Sequence, residues 1–303
     1  MSRRDAEKET AVEVKGWFGA HKWLIARRLA QFGFLMLFLS GPLFGIWITK
    51  GTLASSRTFD VLPLSDPFVL LQALAAGHLP EMTALIGAGL VVAAYALVGG
   101  RVYCSWVCPI NPLTDAVAWL REKLATDKGW QPPKSLRLWL VGGALAASAV
   151  SGTVAWEWIN PVTVLHRGLV FGTLVTGLGG LLVLAVLAFD LGISKHGWCG
   201  HVCPVGAFYG LIGRVSALRV SAAARAACDD CMDCFRVCPE PHVITPALRT
   251  EAPVSLVILS ADCTNCGRCI DVCAKNVFRF ALRGDRREEP AAEGGAENIR
   301  KVA

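Results

Sequence analysis

Cys228, Cys231, Cys234 and Cys238 are spaced C-x2-C-x2-C-x3-C and followed by Pro239, and 35 residues on Cys263, Cys266, Cys269 and Cys273 repeat the spacing, with Ala274 after the last. Two-residue gaps let three sulfurs converge on one face of an iron–sulfur cube, and in two-cluster ferredoxins the fourth Cys of each run ligates the other cluster. The spacing therefore predicts two [4Fe-4S] clusters, one on Cys228, Cys231, Cys234 and Cys273, the other on Cys263, Cys266, Cys269 and Cys238. The crossing holds the clusters close together, so that electrons hop between them. Structural zinc usually takes two separated C-x2-C pairs. Disulfides need an oxidising compartment, which the charge pattern argues against.

The 303-residue chain is 53% hydrophobic and 18% charged, a membrane-protein composition with a soluble part attached. Four uncharged stretches, 29–49, 82–100, 138–156 and 168–189, hold 21, 19, 19 and 22 residues, each long enough to cross a hydrocarbon core about 30 Å thick as a helix. Lys and Arg number 27 on the side of the termini and three (Lys50, Arg57 and Arg167) on the other, so the positive-inside rule puts both termini and the cysteine runs in the cytoplasm. The net charge of +6 is a topology signal; no basic patch with interleaved aromatics points to nucleic acid. The apolar stretch 67–80 is too short to span and predicts an interfacial or re-entrant helix. Crossing at 196–213 would put both cysteine runs outside, against the charge rule. Arg3-Arg4 precedes acidic residues rather than an apolar stretch, so neither a cleavable signal peptide nor a twin-arginine signal is expected.

The prediction is an α-helical integral membrane protein with four transmembrane helices and a C-terminal α+β bacterial-type 2[4Fe-4S] ferredoxin domain. Residues 1–28 form a cytoplasmic segment, 29–213 the membrane domain, 214–283 the ferredoxin domain and 284–303 a disordered tail.

Four more cysteines sit where the second and fourth spans reach the cytoplasm. Tyr103-Cys104-Ser105-Trp106-Val107-Cys108-Pro109 and Trp198-Cys199-Gly200-His201-Val202-Cys203-Pro204 both read aromatic-C-x3-C-P and lie 95 residues apart. Each ends a pair of spans, which points to an internal duplication. Three readings stay open: Cys104, Cys108, Cys199 and Cys203 jointly hold a further metal or cluster, form a redox-active thiol set, or serve packing or docking. His201, inside the second motif, reads as a structural hydrogen-bonder, and His242 as a loop residue near a cluster. No C-x-x-C-H occurs, which excludes covalent c-type haem, and no span carries the two His residues a bis-histidine haem needs.

The segments FLSGPLFGIWI (38–48), CSWVCPINPLTD (104–115), WEWINPV (156–162), HGWCGHVCPVGAFYG (196–210), CMDCFRVCPEPHV (231–243) and CTNCGRCIDVC (263–273) make the chain resemble the NapH/MauN family of ferredoxin-type membrane proteins. The resemblance implies a bacterial inner-membrane quinol dehydrogenase subunit that passes electrons from the quinone pool toward a periplasmic nitrate reductase. It implies a NapG-type iron–sulfur protein and a NapC-type multihaem cytochrome as partners. Cytoplasmic clusters and periplasmic nitrate reduction lie on opposite sides, which the quinone pool can bridge. Outer-side candidates for taking quinol protons are Asp60, Asp66, His78, Glu81, Glu157 and His166; Trp47, Trp156 and Trp158 read as interfacial anchors. The catalytic residue is not identified. Two further readings are a maturation or maintenance factor for a periplasmic metalloenzyme and a membrane thiol or cupric reductase using the C-x3-C-P cysteines. A self-contained NAD(P)H enzyme lacks its glycine-rich nucleotide loop here.

Overall fold

The structure is a computed structural model and describes residues 10–124, 129–173, 177–250, 255–285 and 287. It is mostly helical. Helix α1 (Ala11–Phe44) starts on a capping box, in which the Thr10 side chain accepts from Glu13 N and Glu13 reaches back to Thr10 N. Gly16 breaks its course at φ 71°, and Gly45 ends it in the left-handed region. Beyond it, β1 (Thr49–Gly51), β2 (Ser55–Thr58) and β3 (Leu62–Ser65) form an antiparallel meander in that order. Asp66 then caps α2 (Pro67–Ala75), with Pro67 at the first position where its missing N–H costs nothing. Helix α2 lies within the stretch read as interfacial or re-entrant, and its Phe68 and Gln72 are fully buried.

Helices α3 (Met82–Val98), α5 (Leu136–Ser151) and α7 (Leu178–Gly192) occupy the later uncharged stretches. Among the described residues α1 alone is long and apolar enough to cross a membrane by itself. Helix α5 stops at Gly152, which takes the left-handed conformation, and the stretch 168–189 is shared between α6 (Pro161–Val170) and α7. Trp156 does not lie at a surface: it is buried, stacked against Trp198 with ring centroids 6.4 Å apart. Trp47 and Trp158 are exposed. Gly87 lets α3 close onto β3, since a Cβ there would stand 3.1 Å from Pro63 backbone.

Helices α4 (Ile110–Lys123) and α8 (Pro204–Gly213) follow the two C-x3-C-P segments. The C-terminal part pairs β4 (Leu218–Ser221) with β5 (Arg279–Leu282) antiparallel and carries α9 (Asp233–Val237), α10 (Thr245–Leu248) and α11 (Arg268–Val272). Helices α9 and α11 are near-copies. Each starts from a left-handed residue, Met232 at φ 67° and Gly267 at φ 75°, carries the third Cys of its run in its first turn and ends at the fourth. Helix α1 packs on α11: Lys15 Nζ donates to Ile270 O at 2.8 Å, and Trp23 N and Leu24 N donate to the Asp271 carboxylate. Residues 17–28 therefore form one helix with the first predicted span, and 11–15 precede it across the Gly16 kink. The predicted tail, apart from Gly284, Asp285 and Arg287, lies outside the described residues.

Gly267 is constrained twice, because a Cβ there would also stand 2.7 Å from Trp23. Gly267→Ala should cost about 1–3 kcal/mol from backbone strain alone and more from displacing Trp23, whereas Met232→Gly should change stability by under about 1 kcal/mol. Thermal unfolding of the two variants checks the contrast.

Candidate iron–sulfur and thiol sites

The cysteine runs close two cavities. One, of about 350 Å³, is lined by Cys228, Cys231, Cys234 and Cys273; the other, of about 360 Å³, by Cys238, Cys263, Cys266 and Cys269. The fourth Cys of each run leaves its helix in extended conformation, which carries it to the neighbouring cavity. The donor set fits a cubane rather than one ion. Tetrahedral zinc at about 2.3 Å from each sulfur brings the sulfurs to about 3.8 Å from one another. Among the described residues the only three-donor group within 4.8 Å is Glu240, His242 and Asp262. Burial raises the thiols of Cys228, Cys231, Cys238 and Cys263, and hydrogen bonds from the backbone amides of Asp230, Asp233, Glu240 and Asn265 offset part of that.

The C-x3-C-P segments have one shape. Each is a single π turn, Tyr103–Val107 and Trp198–Val202, closed by bonds from Cys108 N to Tyr103 O at 2.9 Å and Cys203 N to Trp198 O at 2.8 Å. The second is anchored by Trp198 N donating to Asp190 Oδ1. All four cysteines line one cavity, with Tyr103, Ile110, Val162, Trp198 and Val205 as its apolar wall, and none is in a disulfide. His201 is buried outside that lining, with Nδ1 unpartnered.

A buried charge network joins the ferredoxin part to the bundle. Arg101, 2% exposed, donates to Glu240 Oε1 at 2.9 Å, Asp262 O at 3.0 Å and Cys199 O at 2.9 Å. Lys134 Nζ reaches Glu240 Oε2 at 2.6 Å, and Arg137 bonds Gly200 O and Asp262. A second anchor is Asp115 on α4, which pairs with Arg268 and Arg28. Burial by itself would raise these carboxyls. Arg268, His196 and Arg28 instead hold Asp115 down to about 2, and the cations around Glu240 and Asp262, with a His242 hydrogen bond to the latter, keep both below the ordinary range. Polar contacts complete the seam: Ser105 Oγ donates to Thr264 O at 2.7 Å and Trp106 Nε1 to Asn265 O at 3.1 Å.

Comparison with known proteins agrees with this arrangement. A family model described as a 4Fe-4S binding domain matches residues 81–126 and 173–221, and one described as a 4Fe-4S dicluster domain matches 227–277. The chain is 50% identical to the ferredoxin-type protein NapH of Escherichia coli over 93% of its own length and 96% of that protein's. The chain belongs to the NapH/MauN family of ferredoxin-type electron-transfer proteins. It is equally similar to the methylamine utilization ferredoxin-type proteins MauN of Methylorubrum extorquens, at 50%, and Paracoccus denitrificans, at 52%, over 92% of its length and 96% of theirs in both cases. No solved structure matches.

A fourth space is an apolar cleft of about 620 Å³, part of it open to solvent, between α1, the meander, α3 and α8. Phe34, Phe38, Leu64 and Val91 line it, with Tyr95, Tyr103, Tyr209 and Asp66 at its polar end. Tyr209 OH donates to Asp66 Oδ1 at 3.4 Å and stacks on Tyr103. Of the six outer-side acids and histidines singled out in the sequence, Asp66 alone lines this cleft. Asp60 pairs with Lys50, His78 bonds Gly152 O, Glu81 accepts from Thr83, Glu157 accepts from Asn160 and Thr163, and His166 is buried beside Phe38. Sequence reasoning did not single out Tyr209 or Arg101; only their place in the fold reveals them.

Glu240→Gln leaves Arg101 buried without the carboxylate it pairs with and should cost about 3–5 kcal/mol, seen as a lower melting temperature. Because Asp115, Glu240 and Asp262 titrate below their unfolded values, their contribution is complete above about pH 5 and is lost as pH falls toward about 2. Protease accessibility of the 228–273 region should therefore rise in acid, and in the variant at higher pH than in the parent. A variant that melts with the parent would show the pair to be dispensable.

Proposed function

We propose that this protein is a bacterial inner-membrane subunit that oxidises quinol and passes the electrons through two [4Fe-4S] clusters toward a periplasmic nitrate reductase. Cys228, Cys231, Cys234 and Cys273 hold one cluster, and Cys263, Cys266, Cys269 and Cys238 the other; a bound cubane takes up and returns one electron at a time. Four spans over 29–49, 82–100, 138–156 and 168–189 leave both termini in the cytoplasm. In support, α1, α3, α5 and α7 turn large apolar side chains outward, among them Phe32, Ile86, Trp139 and Leu181, and the Lys/Arg split favours this orientation. At about 1.5 Å per residue, α3, α5 and α7 are shorter than a typical core, which local thinning of the bilayer accommodates.

The observation that carries the reading is that the cleft and the cysteine cavities share walls. The cleft ends at Tyr103, whose neighbour Cys104 lines the thiol cavity. Cys104 and Cys199 also line a space with Glu240 and Cys266, which in turn line the ferredoxin cavity. The apolar walls of the cleft, with a few polar groups at one end, suit a quinol ring and tail. Oxidation of quinol to quinone releases two electrons and two protons. Asp66, bonded to Tyr209, is placed to accept a proton, and burial pushes its carboxyl up to about 6. The exposed residues Asp229, Asp230 and Met232 line the Cys228 cavity, whereas among the described residues no exposed one lines the Cys263 cavity, so electrons leave from the Cys228 side. A NapG-type iron–sulfur protein and a NapC-type multihaem cytochrome are the partners proposed for the onward path.

A second reading rests on the equal likeness to NapH and MauN proteins, which are named for different systems. There the same electrons mature or maintain a periplasmic metalloenzyme.

Stopped-flow reduction of cluster-loaded protein by a quinol analogue tests the lead reading. Asp66→Asn keeps the helix cap, since Asn caps as well as Asp, and removes the proton acceptor; reduction should slow by about 10²-fold or more. The parent rate should climb with pH as Asp66 deprotonates around 6 and level off above, and the variant should lose that limb. Absence of quinol-driven reduction, with nitrate reductase activity lost only when the protein is missing during enzyme assembly, would favour the maturation role instead.

A further inference from the structure

We infer that Cys104, Cys108, Cys199 and Cys203 together hold a third [4Fe-4S] cluster, at the seam between the helical bundle and the ferredoxin domain. The two segments matched by the 4Fe-4S binding family model contain two of these cysteines each, half of what a cubane needs. The fold brings the halves together: all four cysteines line one cavity of about 420 Å³, against about 350 and 360 Å³ for the two ferredoxin cavities.

Three features select a cluster over the other uses of four thiols. First, no three of these sulfurs lie within 4.8 Å of one another, whereas zinc draws its four to about 3.8 Å; the same wide spacing marks both ferredoxin sets. Second, amide N–H groups aim at the sulfurs as they do there. Ile110 and Asn111 bond to Cys108, and Val205 and Gly206 bond to Cys203. In both cases the donors belong to the first turn of the helix that follows the motif's proline, so C-x3-C-P is a device for presenting amides to a thiolate. Third, Gly206 lines the cavity beside Cys104 and adds no side chain to it.

The charges around the site suit a cluster. The Arg101 guanidinium bonds to Cys199 O, and Arg137 bonds to Gly200 O, so two fixed positive charges border a set of four thiolates whose cluster carries net negative charge. Held by these four cysteines, a cluster would supply one-electron chemistry between the cleft beyond Tyr103 and the Cys263 set, across the space shared with Cys266. That relay role rests on the quinol reading. The existence of the site does not, so the metal measurement and the quinol measurement fail separately.

The test is metal and sulfide analysis of the full chain, purified anaerobically in detergent after expression with iron–sulfur assembly proteins. Spin quantitation by EPR of the reduced protein verifies that both ferredoxin sites are full. About 12 irons and 12 acid-labile sulfides per chain are expected, from four of each per cubane. The double variant Cys104→Ser/Cys199→Ser should fall to about eight of each and keep the ferredoxin spins. With both ferredoxin sites full, about eight irons in the parent, alone or accompanied by one zinc, would overturn the assignment even if the variant failed to fold.

Discussion

The Arg101 guanidinium is the contact on which the rest of the molecule turns. Desolvating such a group costs several kcal/mol unless its donors are met. Here the acceptors come from three places far apart in sequence: Glu240 just past Cys238, the carbonyl of Asp262 just before Cys263, and the carbonyl of Cys199 in the second motif. One rigid fork thereby sets both inner ends of the cysteine runs against the bundle and ties its two halves together. A lysine, with a single ammonium on a flexible stem, lacks the planar donor geometry to do the same. The ferredoxin part is accordingly a fixed wall of the thiol sites rather than a carrier on a tether. Asn265 reinforces this, donating at once to Val98 O at the end of α3 and Leu218 O at the start of β4.

Much of this was legible in the chain because cysteine spacing is a local code. The thiols line two cavities in the groups that the gaps imply, since a five-residue helix carries the third Cys of each run and the fourth leaves its end in extended conformation. The charge gaps marked out the regions of α1, α3, α5 and α7 because a long uncharged apolar run has few alternatives to a helix. What the chain hid was long-range. Residues 1–28 read as a cytoplasmic segment apart from the first span, yet 11–28 belong to α1 and run along α11, and the fit depends on Gly267, 244 residues beyond Trp23. Trp156 had the sequence context of an interfacial anchor and is instead core, because hydropathy does not separate a bundle interior from a bilayer edge. Asp66 was one of six equivalent acids and histidines until Tyr209, from α8, met it. Arg101 counted only toward the charge balance, although its partners lie 98 to 161 residues away.

The duplication explains why the thiol cavity lies where it does. Two copies of helix, π turn and proline-started helix each offer two cysteines, and neither copy encloses a cavity by itself. Enclosure requires the copies to face each other, which Arg101 enforces by gripping the second π turn from the foot of α3, while Arg121 on α4 bonds the carbonyls of Asp190 and Leu191 at the end of α7. Assembly of the bundle and completion of the site are thus one event. The same contacts extend to the ferredoxin loops, so a chain in which the halves fail to meet also loses the surface that seats Glu240 and Asp262. The buried cations would then face a large desolvation penalty with no acceptor, which disfavours partly assembled states. Electron transfer between fixed centres needs that property: a series of sites is useful only when all of them are in place, and here one charged seam makes their placement mutually dependent.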